Sequence, residues 1–202
     1  EIALQQKLPV VSLIESGGAN LMYQAELFIP GGKTFANQAR LSAAGIPQVT
    51  VVHGSSTAGG AYMPGLSDYV VMIRKQAKVF LAGPPLLLAA TGEVAIDEDL
   101  GGAEMHTQLA GTAEFLAEND ADGIRMAREI VRSLNWNADK PAVPRFPVRA
   151  PLYDIEEVCG VVSADYRKPF DPREVIMRLV DASEFLEFKN EYDKQTVCGR
   201  AV

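Results

Sequence analysis

Two short runs of small residues are candidates for chemistry, because each follows an apolar run typical of a buried strand. The glycine pair 17–18 follows residues 10–14, and the pair 59–60 comes shortly after residues 49–52. Between His53 and the second pair, the side chains are no larger than threonine. Such loops offer a ligand mainly backbone N–H groups, supported by the positive end of a following helix. We therefore predict that these loops bind an oxyanion, with a tight turn beginning at His53.

The elements between the loops predict how they are positioned. Residues 10–14 and 49–52 are predicted strands, and residues 34–44 form a predicted helix that ends at Gly45. A strand, helix and strand at this spacing indicate a right-handed crossover between parallel strands. Both glycine pairs should then reach the same carboxyl edge, where open parallel sheets bind ligands. Residues 21–33 are predicted to be a loop, because they contain Pro-Gly-Gly.

The remaining pattern predicts an α/β protein built of stacked ββα units. His106 falls in a stretch without regular periodicity. Further strands are predicted at 68–73, 78–81, 185–188 and 196–202, and further helices at 86–90, 121–134 and from Pro172 onward.

Four prolines between residues 135 and 151 indicate a linker, because that segment also lacks periodicity. We predict a first domain over residues 1–135, a linker over 136–151 and the start of a second domain over 152–202. About fifty residues are too few for a well-buried domain. We expect the chain to begin within its first domain and to stop inside its second.

Composition excludes several classes of protein. The formal net charge is −7, and the basic residues are scattered, so the sequence predicts no nucleic-acid surface. The longest apolar run, residues 79–90, is interrupted by Gly83-Pro84-Pro85 and is too short for a membrane span. Cys159 and Cys198 form no C-x-x-C pair, and the acidic residues show no metal-ligand spacing, so no metal is predicted.

The sequence lacks the usual motifs for serine hydrolysis and for phosphate binding. A serine hydrolase would require G-x-S-x-G, but Ala58 stands where the last glycine belongs, and His53 or His106 would have to act as the base. No phosphate-binding G-x-x-x-x-G-K-[ST] motif occurs. The hydrolase remains a minor alternative, and the two glycine loops could also be tight turns without function.

Several sequence blocks occur in the order found in one protein family. They are Ser16-Gly17-Gly18-Ala19, residues 54–62, Phe80-Leu81-Ala82-Gly83-Pro84-Pro85, Ala90-Thr91-Gly92-Glu93, residues 100–106, residues 170–176 and Phe185-Leu186-Glu187-Phe188. These blocks resemble the carboxyltransferase (β) subunits of biotin-dependent acyl-CoA carboxylases, and the similarity covers nearly the whole chain. The sequence of the blocks is more similar to the methylcrotonyl-CoA type than to the propionyl-CoA type. Asn20 and residues 21–32 depart from the usual sequence of the family and leave the acyl preference open.

The resemblance implies a crotonase-like (ClpP/crotonase) fold and carboxyl transfer from carboxybiotin to the enolate of an acyl-CoA. By analogy, Gly59 and Gly60 donate backbone hydrogen bonds to the enolate oxygen, and the loop of Gly17, Gly18 and Ala19, with Ala61, shapes the thioester site. No catalytic role is implied for His106.

The resemblance also implies partners and a location. Biotin would be carried covalently by a biotin carboxylase or biotin carrier subunit, and the carboxyltransferase subunits would form a homo-oligomer in the cytoplasm or the mitochondrial matrix. Each subunit has two crotonase-like halves, so the biotin side should lie beyond residue 202, and the chain alone should be inactive. The alternative is a non-catalytic scaffold paralogue that keeps the fold for assembly.

Overall fold

The computed structural model describes residues 1–136 and 147–201, and a five-stranded sheet forms its centre. The order across the sheet is β1, β2, β3 and β5, while β4 pairs with the carboxyl end of β2, and every pairing is parallel. These strands are β1 (Val10–Ser16), β2 (Gln48–Thr57), β3 (Tyr69–Ile73), β4 (Lys78–Phe80) and β5 (Phe115–Ala117). The parallel pairing predicted for the first two strands is thus confirmed.

Helices connect the strands and continue into the second part of the chain. A second, two-stranded antiparallel sheet lies near the carboxyl end. The α-helices are α1 (Ile2–Gln6), α2 (Gln24–Ala43), α3 (Tyr62–Gly65), α4 (Pro84–Thr91), α5 (Asp97–Gly101), α6 (Asp120–Leu134), α7 (Val158–Val161) and α8 (Pro172–Leu179), and the antiparallel strands are β6 (Phe185–Phe188) and β7 (Cys198–Ala201). Shorter 3₁₀ turns cover Leu21–Tyr23, Ala58–Ala61, Ile155–Glu157 and Asp181–Ser183, and Met105–Leu109 is a π-helix.

The core lies along β2 and β3. Val49, Val52 and Val71 have no exposed surface, and their neighbours in both strands are nearly as buried. Such β-branched runs are typical of parallel strands that are covered on both faces. Helix α6 packs closely on this core because Gly123 lies against Val51 and Ile73, where an added Cβ would be 3.2 and 3.3 Å from their side chains.

Helix α6 has nearly the predicted bounds, but its buried stripe differs from the one that the apolar spacing of Ile124, Ala127, Val131 and Leu134 predicts. Gly123, Ala127 and Ile130 are buried, whereas Ile124, a predicted core position, is 46% exposed. The apolar spacing alone missed Gly123, since a glycine carries no hydrophobic signal although it permits the close approach.

The predicted loop over residues 21–33 is wrong. Asn20 caps a short 3₁₀ turn by accepting from the Met22 N–H, and α2 then runs without a break through Pro30, Gly31 and Gly32. Proline and glycine each cost helix stability, but the helix formers on both sides allow one continuous helix. His106 likewise lies in the π-helix rather than in an irregular stretch.

The structure describes the second part of the chain from Pro147 onward. Asp171 caps α8 by accepting from the Arg173 N–H, and Pro172 is its first residue, as predicted. The predicted linker 136–151 lies mostly outside the described residues, so the domain boundaries at 135 and 151 stay predictions. Among the described helices, none combines the length and hydropathy that crossing a bilayer requires.

Candidate active site

Strands β1 and β2 bring the two glycine loops to one edge of the sheet. The pairing is regular as far as Ile14 and Val52 and then shifts, so that Ser16 is opposite Ser56. Residues 53–55 form the resulting bulge, and bulges of this kind are frequent beside active sites. Gly54 lies beneath Glu15, where an added Cβ would come within 2.5 Å of the carboxylate.

The turn comes later than predicted. The chain stays in β2 through Thr57, turns at Ala58 and continues as the 3₁₀ turn Ala58–Ala61 followed by α3. The backbone of Ala58 has φ 51°, a left-handed conformation that disfavours residues with a side chain. Since the turn and α3 are short, their helix dipole is small. Any attraction of this loop for an anion would therefore come mainly from individual N–H groups.

The loops contact each other closely. Gly60 lies against β1, because an added Cβ would be 2.9 Å from the Ser16 Cβ and 3.1 Å from the Ser56 Oγ. The Thr57 hydroxyl donates to the Ser16 carbonyl over 3.3 Å, and the Gly18 N–H donates to the Ser16 hydroxyl over 3.2 Å. The structure therefore brings both predicted glycine pairs to one place.

Geometry distinguishes the two N–H groups predicted as donors. In a 3₁₀ turn each N–H bonds the carbonyl three residues earlier, so the Gly60 N–H faces the Thr57 carbonyl. The N–H groups of Ala58 and Gly59 come before any acceptor within the turn, and neither bonds another element in the described part of the chain. Both residues are exposed. Ala58 and Gly59 are thus better placed as donors than Gly60.

The other predicted site residues lie around this point. Gly17, Gly18 and Ala19 are exposed, and Gly18 adopts φ 94°, a conformation that favours glycine. Ala61 is only 9% exposed, so its side chain contributes packing rather than a contact surface.

An aromatic pair lines one side of the loop. The Phe35 ring of α2 is 3.7 Å from the position of a Cβ on Gly59, and it packs edge-to-face on Tyr62 at 5.4 Å. Tyr62 is 51% exposed and therefore not a core residue. Sequence reasoning missed Phe35, although its place on a helix just before β2 could have suggested it.

The basic side chains of Arg74 and Lys78 already form ion pairs with carboxylates. The Lys78 ammonium lies 2.6 Å from the Asp97 carboxylate, which raises the pKa of Lys78 by accepting its hydrogen bond. Arg74 pairs with Glu104 at 2.7 Å and with Glu118 at 3.1 Å.

The hydrolase alternative gains no support from the geometry. Both ring nitrogens of His106 are used, one by the Val79 carbonyl at 2.8 Å and one by the Thr112 hydroxyl at 2.6 Å. The Ser56 hydroxyl is fully buried and has no hydrogen-bond partner within the described structure. Over residues 1–136 and 147–201, no cluster of three or more His, Cys, Asp or Glu could hold a metal ion.

Fold and site together define a class of protein: an α/β domain that presents backbone donors beside an apolar wall at the carboxyl edge of a parallel sheet. The carboxyl transferase domain family matches the chain over residues 1–202, and the chain belongs to this family. The predicted resemblance to carboxyltransferase β subunits is confirmed.

Among curated relatives, the chain is 57% identical over 201 residues to the probable biotin-dependent acyl-coenzyme A carboxylase beta2 subunit of Mycobacterium tuberculosis. It is 45% identical to the probable mitochondrial methylcrotonoyl-CoA carboxylase beta chain of Drosophila melanogaster, and 31% identical to the propionyl-CoA carboxylase beta chain of Saccharopolyspora erythraea. The chain spans 38% of the length of each of these relatives. The predicted similarity to the methylcrotonyl-CoA type agrees with these identities.

Solved structures give the same assignment. The β subunit of P. aeruginosa geranyl-CoA carboxylase is 66% identical with a TM-score of 0.63, covering all of this chain and 38% of that one. The transcarboxylase 12S structure with methylmalonyl-coenzyme A bound is 31% identical with a TM-score of 0.86, covering 98% of this chain and 38% of that one. These neighbours are consistent with the predicted crotonase-like α/β fold.

Proposed function

We propose that this chain forms the acyl-CoA side of a carboxyltransferase, which moves a carboxyl group from carboxybiotin to the enolate of an acyl-CoA. The observation that carries the proposal is the junction of the two glycine loops. There, Ala58 and Gly59 are exposed residues, and their N–H groups have no acceptor within their turn. The membership of the chain in the carboxyl transferase domain family supports a reaction that passes through an enolate.

The loop would act by stabilising charge. As the substrate loses a proton, negative charge develops on the thioester oxygen, and a fixed N–H donor stabilises that charge without reorganisation. Removing one such donor typically costs about 3 kcal/mol of transition-state stabilisation. Gly60 contributes differently, because its missing side chain lets the donor turn pack on Ser16.

The described residues fit the acyl side of the reaction and not the biotin side. When bound, carboxybiotin supplies the carboxyl group, and its ureido nitrogen can accept the substrate proton. In residues 147–201, no strand is followed by a second pair of glycines like those after β1 and β2. We therefore assign the biotin group to a carrier subunit and to another part of the carboxyltransferase.

For the substrate, we propose a 3-methyl-2-enoyl-CoA. The names of two similar proteins specify geranyl-CoA and methylcrotonoyl-CoA, which both carry a methyl group at C3 and a double bond at C2. Deprotonation at the γ-carbon then gives an extended enolate whose charge reaches the thioester oxygen. Phe35 and Tyr62 beside Gly59 offer an apolar surface for the acyl chain. The working protein would be a homo-oligomer with a biotin-carrying partner, in the cytoplasm or the mitochondrial matrix.

Substitution at Gly59 tests the proposal. In the full-length parent protein with its biotin-carrying partner, Gly59→Val should lower carboxyl transfer to geranyl-CoA or methylcrotonyl-CoA by about 10²-fold or more, because the side chain crowds the donors. The fold should tolerate the change, since a Cβ at this position meets only Phe35, at 3.7 Å. Gly65→Val is the matched control, because a Cβ there meets no atom within 4 Å.

The alternatives give different results in the same experiment. An unchanged rate in Gly59→Val would contradict the donor role, and a wild-type complex that assembles without transferring carboxyl groups would favour the scaffold. Covalent labelling of Ser55 or Ser56 by a serine-directed phosphonate would favour the hydrolase.

A further inference from the structure

The motif at residues 100–106 wraps around strand β4. Gly101 lies on the Val79 carbonyl, where an added Cβ would be only 2.4 Å from the oxygen. Gly102 forms an antiparallel bridge with Lys78, and the His106 Nε2 is 2.8 Å from the same Val79 carbonyl. Gly101, Gly102 and His106 therefore all contact the three-residue strand β4.

The partners of His106 define which ring nitrogen carries the proton. A carbonyl oxygen only accepts, so Nε2 must donate its proton to Val79. Nδ1 then accepts from the Thr112 hydroxyl, 2.6 Å away. The imidazole thus links β4 to the segment that leads into β5, and both of its nitrogens are used.

Strand β4 holds the last part of β2 before the donor turn. It pairs with residues 55–57, so that Val79 is opposite Ser56 and Phe80 is opposite Thr57. The next two residues of the chain are Ala58 and Gly59. The Ser56 hydroxyl also lies 3.1 Å from the position of a Cβ on Gly60.

We propose that His106 is a positioning residue: its Nε2–H holds the Val79 carbonyl, which fixes β4 against the end of β2 and thereby orients the N–H groups of Ala58 and Gly59. This inference rests on the proposed function, because the oriented groups are its oxyanion donors. His106 contacts β4 and Thr112, so it acts through the backbone rather than on the substrate.

Two substitutions separate the two contacts of the imidazole. In His106→Gln, the amide nitrogen can occupy the position of Nε2 and still donate to Val79. In His106→Asn, the shorter side chain reaches the position of Nδ1, which keeps the contact with Thr112 and loses the contact with Val79. Thr107→Val is the matched control, because it removes a buried 2.8 Å hydrogen bond from the same helix, and the acceptor of that bond is the Ala103 carbonyl rather than a group of β4.

Two measurements on the full-length parent complex test the inference. Hydrogen–deuterium exchange of residues 55–57 measures how stably β4 pairs with β2, and it does not require an active enzyme. Steady-state kinetics with the acyl-CoA report the donors, which are used mainly in the transition state, so kcat and kcat/KM should fall together.

We expect His106→Asn to exchange faster at residues 55–57 and to lose about tenfold or more in kcat, with KM changed less than about twofold. His106→Gln and Thr107→Val should stay within about threefold of the wild-type kcat. Equal rates in the Asn and Gln variants, unchanged exchange in His106→Asn, or an equal loss in Thr107→Val would each overturn the inference. A wild-type complex without carboxyl transfer would instead overturn the proposed function, and exchange would still decide whether His106 holds β4.

Discussion

Two regions of the same sheet are built from different kinds of contact. The donor edge, residues 16–18 and 57–61, is held by backbone groups, small hydroxyls and missing side chains. The seam, where residues 185–200 pack on the sheet, is held by charged and aromatic side chains. There Lys189 reaches both Glu114, at 3.4 Å, and the Gly111 carbonyl, while Phe188 packs edge-to-face on Tyr69 at 6.4 Å.

The difference predicts how each region responds to change. Backbone N–H groups keep their polarity at every pH, so the donor edge should depend on the volume of side chains and little on ionisation. The seam contains a carboxylate that is only 8% exposed, at Glu114, so its strength should depend on pH and on the partner charge. The proposed chemistry, which uses few titrating side chains, would thus be combined with a junction whose stability depends on pH.

The largest effect is expected at the donor edge. Gly60→Ala would place a Cβ 2.9 Å from the Ser16 Cβ, a distance that forces the turn away from β1. Carboxyl transfer by the full-length complex should fall by about 10²-fold or more, because the donors lose their positions. Adding Ser16→Gly should recover about tenfold or more of the rate, because it removes the closer of the two obstructing side chains and leaves only the Ser56 hydroxyl, at 3.1 Å.

The double variant makes this prediction specific to packing. If Gly60→Ala lost activity and Ser16→Gly failed to restore any, the contact between the two loops would not be the cause. Gly65→Ala adds the same methyl group where no atom lies within 4 Å and should leave the rate unchanged.

A smaller effect is expected at the seam. Burial raises the pKa of the Glu114 carboxyl, while the Val70 N–H, 2.6 Å away, and the Lys189 ammonium act in the opposite direction. Lys189→Met removes one of these opposing partners, so the pKa of Glu114 should rise further. The ionised carboxylate then destabilises the fold, and the free energy of unfolding near neutral pH should drop by about 2 kcal/mol.

The raised pKa of Glu114 determines how the stability loss in Lys189→Met should change with pH. A carboxyl whose pKa is higher in the folded than in the unfolded chain favours folding as the pH falls and disfavours it as the pH rises through the folded pKa. The loss in Lys189→Met should therefore be smaller at about pH 5 than at about pH 8. Thermal melts of the parent protein and of the variant at both pH values measure it, and an equal loss at both would show that the ammonium does not act through Glu114.

Much of the donor edge was predictable from local sequence. The β-branched runs and the intervening helix predicted parallel strands that bring both glycine pairs together, and the structure shows that contact. The identity of the free N–H groups was not predictable, because the strand extends to Thr57, where it pairs with Phe80 of β4. That pairing joins segments distant in sequence, and no local pattern encodes it.

The seam was much less predictable. Strand β5 has only three residues, too few for a periodic pattern, and it was missed. The partnership of Glu114 with Lys189 joins residues 75 positions apart. In the second part of the chain, the predicted start of α8 at Pro172 is confirmed, because the local cap Asp171 determines it. In the first part, the local signal of Pro30 wrongly predicted a loop, because α2 continues through this residue.

The smallest expected effect separates the two kinds of contact within the seam. Tyr69→Phe keeps the ring that packs on Phe188 and removes only the hydroxyl, to which Arg200 donates over 3.5 Å. Hydrogen bonds of this length at an exposed site contribute little, so the free energy of unfolding should change by less than about 0.5 kcal/mol. Chemical denaturation of the parent protein and the variant measures it. A loss of more than about 1 kcal/mol would mean that polar contacts at the rim, and not only the buried Glu114 with Lys189, hold the seam together.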